Sequence, residues 1–93
     1  MTGLLFEIWE DPDHHGFEMS RVTERGDVLR RQIAPRSLLR HRFYAKSDFE
    51  AHQTSYDWHG WGTWRPEPDW REQHFTDADA LEQQSYLAQR NLD

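Results

Sequence analysis

The side chains of this chain that could bind a metal or move a proton are scattered, and few stand at a spacing that chemistry requires. His14 and His15 lie in a turn beside Asp11 and Asp13. A divalent ion could use that cluster if a distant His59 or His74 approached, which would suit a small metal-dependent hydrolase. Neither an H-E-x-x-H helix nor two histidines four apart support this reading. Asp57 and His59 flank Trp58 as an acid and a base, but residues two apart on a helix do not face each other. No G-x-S-x-G elbow offers a nucleophile, and Gly60-Trp61-Gly62 lacks the spacing and the lysine of a phosphate loop. His41 reads as a core residue of a strand. The expectation is a non-catalytic protein with no cofactor and no metal.

The aromatic residues are more informative. Four of the five tryptophans, Trp58, Trp61, Trp64 and Trp70, fall in one run that is broken by Gly60, Gly62, Pro66 and Pro68. No regular element can carry all four on one face. Buried apolar surface is worth roughly 25 cal/mol per Å², so the run is either a lid on a small core or a contact surface. Trp58, Trp61, Trp64, Arg65 and Trp70 are the candidate contact residues, because Trp, Tyr and Arg dominate protein interfaces.

Charge supplies the rival. The formal net charge of -6 divides into -5 over residues 1 to 19, +6 over 20 to 46 and -7 over 47 to 93. Arg36, Arg40, Arg42, Tyr44 and Lys46 could form a phosphate-binding strip for nucleic acid. Internal pairing with the acidic flanks explains the same arginines in a chain that is acidic as a whole.

These residues need elements to hold them. At 93 residues without cysteine, the chain reads as one compact domain that relies on neither disulfide nor thiolate zinc. No apolar run approaches a membrane span, so a soluble cytoplasmic protein is expected. Leu4, Phe6 and Ile8 alternate with Leu5, Glu7 and Trp9 as a strand, and a turn at 11–16 leads into a second strand from Phe17 to about Thr23. Asp27 can cap a short helix whose inner face carries Leu29 and Ile33 and which Pro35 ends, with an earlier start near Ser20 as the alternative. A third strand spans Leu38 to Lys46, with Leu39, His41, Phe43 and Ala45 on one face. Ser47 and Glu50 form a capping box for a helix that reaches Trp58 or His59, carries Phe49, Gln53 and Tyr56 on one stripe and stops at Gly60. A Trp/Pro-rich loop at 62–75 precedes a helix at 76–92, opened by Thr76 and striped by Leu81, Ser85, Ala88 and Leu92.

The stretch from Phe43 to Gly62, with Ser47-Asp48-Phe49-Glu50-Ala51, Tyr56 and Gly60-Trp61-Gly62, resembles small bacterial proteins of unassigned function in which an S-x-F-E-A helix follows a strand and ends in G-W-G. The resemblance implies a bacterial origin and a compact α+β fold, and no activity.

The expected architecture is an α+β domain: a hairpin joined by a right-handed crossover to the third strand, giving an antiparallel sheet of order 2-1-3 with helices packed on one face. Glu7 and Trp9 then share the open face with Arg40 and Arg42. The expected function is a protein-interaction or regulatory module with a protein partner. Oligomeric state is not legible in the sequence.

Overall fold

The computed structural model describes residues 3–90. Its elements are β1 (Leu4–Asp11), β2 (Gly16–Arg21), α1 (Glu24–Ile33), β3 (Leu38–Ala45), α2 (Asp48–His59) and α3 (Asp77–Gln89). The sheet is antiparallel in the order β2-β1-β3, so the fold is α+β with three helices, as the strand pattern and the short hairpin turn require. No described helix is long and apolar enough to cross a membrane.

On one face of the sheet, Leu4, Phe6 and Ala45 form a buried core with Ala51 of α2, and Met19, Phe43, Phe75 and Ala80 pack around it. Phe6 stacks on Phe43 with centroids 5.8 Å apart and meets Phe75 at 5.9 Å. The other face is not open. Leu5 and Glu7 are as buried as their neighbours: Gln83 of α3 bonds the Leu5 backbone, Arg90 after α3 bonds the Glu7 carboxylate, and α1 lays the Arg30 guanidinium 3.6 Å from the centre of the Trp9 ring. The helices therefore cover both faces of the central strand.

Helix α1 also begins earlier and lies the other way round from the apolar reading. Thr23 is its cap, with the hydroxyl accepting from the Gly26 N–H at 3.0 Å, while Asp27 sits inside the helix and is buried. Leu29 and Ile33, expected inside, point outward, with Ile33 70% exposed. Helix α3 shows the same inversion. Leu81, Ser85 and Ala88 are exposed, the inward positions are Ala80, Gln83 and Tyr86, and Leu92 lies outside the described residues.

The cap of α2 is where the sequence places it. Ser47 accepts from the Glu50 N–H at 3.1 Å, and Gly60 ends the helix with φ 74°. The reciprocal arm differs: the Glu50 carboxylate accepts from the Lys46 N–H, because Ser47 bridges to the backbone of His74. Thr76 and Asp79 do form a complete capping box at α3. Ser47→Ala should lower the unfolding free energy by about 1 kcal/mol, the usual worth of such a cap. An unchanged urea midpoint would deny the cap that role.

Candidate functional site

Phe49, His52, Tyr56 and His59 recur at helical spacing and form a stripe of rings along one flank of α2. The chain then reverses at Gly60 and Gly62, both with positive φ, and runs back along that flank. Trp61 stacks on His59 with centroids 3.7 Å apart and planes 5° apart, and meets Tyr56 edge-on. Trp64 stacks on His52 at 4.3 Å and contacts Phe49. Trp70 closes against Trp64 and Phe49. Gln53 pins the return: its amide donates to the Gly62 carbonyl, and its oxygen accepts from the Trp64 N–H.

Trp58 belongs to the sheet side. It stacks on His41 at 5.6 Å and meets Phe17 edge-on at 6.1 Å. His41 is thus part of a ring stack and is half-buried. The five candidate contact residues consequently divide between two places, Trp58 and Trp61 at the C-terminal end of α2, and Trp64 and Trp70 near its start, with Arg65, next to Trp64 in the chain, exposed. None of the loop tryptophans is fully buried. Trp64 and Trp70 are half-buried, whereas Trp61 is 57% and Trp58 39% exposed. The tryptophans of the loop form a lid on the flank of α2, while Phe75 at its end packs on the sheet core. Desolvation lowers the His59 imidazole below its ordinary value, so at neutral pH it meets Trp61 as an uncharged ring.

The arginine strip is largely consumed internally. Arg42 lies 3.3 Å from Glu7 and Arg40 2.7 Å from Glu10, and Arg36 pairs with Asp13. Arg40 reaches Glu10 because the β1–β3 register slips between Ile8 and Trp9, leaving Arg40 as an extra residue. Tyr44 is exposed on the outer strand, and Lys46, expected to end that strand, is exposed one residue beyond it. Titration with single- and double-stranded DNA should therefore show no tight, steeply salt-dependent binding. Such binding, lost in Arg40→Ala/Arg42→Ala, would restore the phosphate reading.

Around the hairpin turn, Asp11 lies 2.5 Å from His14 Nδ1 and accepts from the Asp13 N–H. The Asp11 hydrogen bond raises the His14 pKa above its ordinary value, and the His14 hydrogen bond lowers that of Asp11. Asp13 is held by Arg36, His59 by its aromatic neighbours and His74 by the Ser47 bridge. Among the described residues, no three potential metal ligands converge.

No protein-family model, curated protein or solved structure matches this chain. Function has to be read from the geometry.

One constellation that sequence spacing does not reveal is a buried charge network on the covered sheet face. Arg90, just after α3, donates to both oxygens of Glu7 at 2.6 and 2.8 Å and to both oxygens of Asp27 at 2.7 and 2.9 Å. Trp9 Nε1 donates to Glu7, Arg30 donates to Asp27, and so does the Tyr86 hydroxyl. Burial alone would raise both carboxyl groups. The Arg90 hydrogen bonds, joined by Trp9 at Glu7 and by Tyr86 and Arg30 at Asp27, instead hold both below their ordinary values. No buried side-chain polar atom among the described residues lacks a partner. A closed network of this kind is a structural clamp, with no atom aimed at a substrate.

A cleft of about 250 Å³ between α1 and α3 is lined in part by Arg21, Thr23, Glu24, Asp79, Glu82 and Tyr86. Thr23 is committed to the cap of α1, Asp79 to that of α3 and Tyr86 to Asp27. The aromatic ladder is the candidate site.

Proposed function

We propose that this protein is a non-catalytic interaction module that contacts another protein through the exposed end of the aromatic ladder, Trp58 and Trp61 with Phe17, and with Trp64, Arg65 and Trp70 at its margin. The observation that carries this reading is the combination of exposure and fixation at Trp61. More than half of the indole faces water, yet the ring is held against His59 at 3.7 Å. A large apolar side chain that is already ordered has little rotamer entropy left to lose on docking, which is how a few aromatic residues come to dominate an interface. Phe17, 47% exposed, extends the apolar area beside Trp58. A cytoplasmic location, the expectation from the sequence, is part of the proposal.

The test uses tagged protein on extracts of the source cell. Trp58→Ala and Trp61→Ala should abolish capture of the partner while moving the unfolding free energy by no more than about 1 kcal/mol. Trp64→Ala removes a half-buried ring between Phe49 and His52 and should cost about 2 kcal/mol. Identical capture by all three variants would exclude the aromatic surface as the contact site.

A further inference from the structure

The charge around the ladder gives the partner a chemistry, an inference that rests on the reading above. Pairing inside the fold uses the cations unevenly. Arg21, Arg30, Arg36, Arg40, Arg42 and Arg90 each lie against an acid of another turn or element. The segment from residue 47 to 75 is left with six acids against Arg65 and Arg71. Asp57, Glu67 and Asp69 of that segment are exposed. Asp57, in the last turn of α2 below the Gly60 reversal, shares the Gln53 amide with the carbonyl of Gly62, the residue that follows Trp61.

An exposed indole in a segment with an excess of exposed carboxylates attracts a cation in two ways, through the electron-rich ring face and through charge. Nucleic acid is disfavoured at the same place, because its phosphates would meet the acids. The fold already uses the first interaction internally, with Arg30 over Trp9 and Arg21 4.8 Å from the centre of the Phe75 ring. We infer that the exposed end of the ladder docks a basic segment of the partner protein, an arginine or lysine side chain lying over Trp61 with Asp57 as its carboxylate. Arginine fits best, since its planar guanidinium can stack on the ring and donate to a carboxylate together.

The test is titration of the whole protein with three synthetic peptides of equal length, arginine-glycine, glutamate-glycine and proline-rich neutral, and with a single-stranded oligonucleotide, followed by indole fluorescence and calorimetry. The arginine peptide should bind and the glutamate peptide should not. Trp61→Ala should weaken binding about tenfold, the effect of losing a well-placed cation–π contact, and Trp61→Phe should restore most of it. Asp57→Asn should weaken it about twofold to threefold, an effect that shrinks as salt rises. Absence of arginine-peptide binding, or binding that Trp61→Ala leaves unchanged, would overturn the inference. Binding of the proline-rich peptide or the oligonucleotide in its place, lost in Trp61→Ala, would also overturn it. Of these, the proline-rich outcome would leave the ladder standing as a protein-contact surface.

Discussion

Replacing Arg90 by alanine should lower the unfolding free energy by about 3–5 kcal/mol, the range for breaking a buried ion pair from one side. The guanidinium is only 3% exposed, and the Glu7 and Asp27 side chains on either side of it are 2% and 3% exposed. Removing it leaves two desolvated carboxylates with Arg30, Arg42, Trp9 and Tyr86 as their remaining partners. Small domains have a margin of about 5–15 kcal/mol, so urea unfolding at neutral pH should detect the loss easily. Arg90→Lys should recover only part of it, because a single ammonium cannot present the fork that spans both carboxylates. A loss within about 0.5 kcal/mol, as for an ordinary surface substitution, would mean that water replaces the guanidinium at no cost.

The same variant should change how stability responds to acid. Glu7 and Asp27 titrate in the fold below their ordinary values of 4.5 and 3.8. A depressed carboxyl contributes stability that is fully present above the unfolded value and is lost as pH falls through the folded one. The wild-type chain should therefore lose this contribution below about pH 4. In Arg90→Ala the burial of both groups is far less opposed and drives their values upward. Protonation then relieves the buried charges, so the gap between variant and wild type should narrow on acidification. A gap independent of pH would assign the effect of Arg90 to packing alone.

What the sequence made legible divides along one line. The strands, the 2-1-3 order and the caps at Ser47 and Thr76 depend on patterns a few residues long, and alternation along β1 or a hydroxyl three residues before an exposed amide can be read locally. The facing of α1 and α3 depends on partners far away. Apolar periodicity turns Leu29 and Ile33 inward, whereas the fold turns Asp27 and Arg30 inward because Arg90 arrives from 63 residues away to neutralise Asp27. With so few aliphatic residues, the second face of the sheet is closed by charge and amide groups, which a hydrophobic template scores as surface. The ladder escapes apolar periodicity for a related reason. Its stripe of Phe49, His52, Tyr56 and His59 is half histidine, and the tryptophans that complete it pack on that helix flank and not on the sheet. The i, i+3, i+7, i+10 recurrence of rings was the available signal.

Gln83 provides the second large effect, and it too lies outside any local pattern. β2 ends at Arg21, one residue short of covering Leu5, so the Leu5 N–H and C=O face a gap at the sheet edge that Val22 fills only in part. The Gln83 amide completes it, accepting from the Leu5 N–H at 2.8 Å and donating to the Leu5 and Val22 carbonyls at 3.0 and 3.1 Å. A side-chain amide serves here because it offers an acceptor and two donors in one plane, as an adjoining strand would. Gln83→Leu keeps the volume but leaves the Leu5 N–H and the Val22 carbonyl buried without this partner. At roughly 1–3 kcal/mol for each unsatisfied group, the expected loss is about 3 kcal/mol. Gln83→Glu should be at least as damaging at neutral pH, since one carboxylate oxygen keeps the Leu5 N–H while the other faces two carbonyl oxygens. Acid should then rescue it: once protonated, the introduced carboxyl can donate to a carbonyl, so its stability relative to wild type should rise as pH falls. A Gln83→Leu variant as stable as wild type, or a Gln83→Glu variant that acid only weakens further, would mean that α3 is held at this edge by Ala80 and Tyr86 and not by its amide.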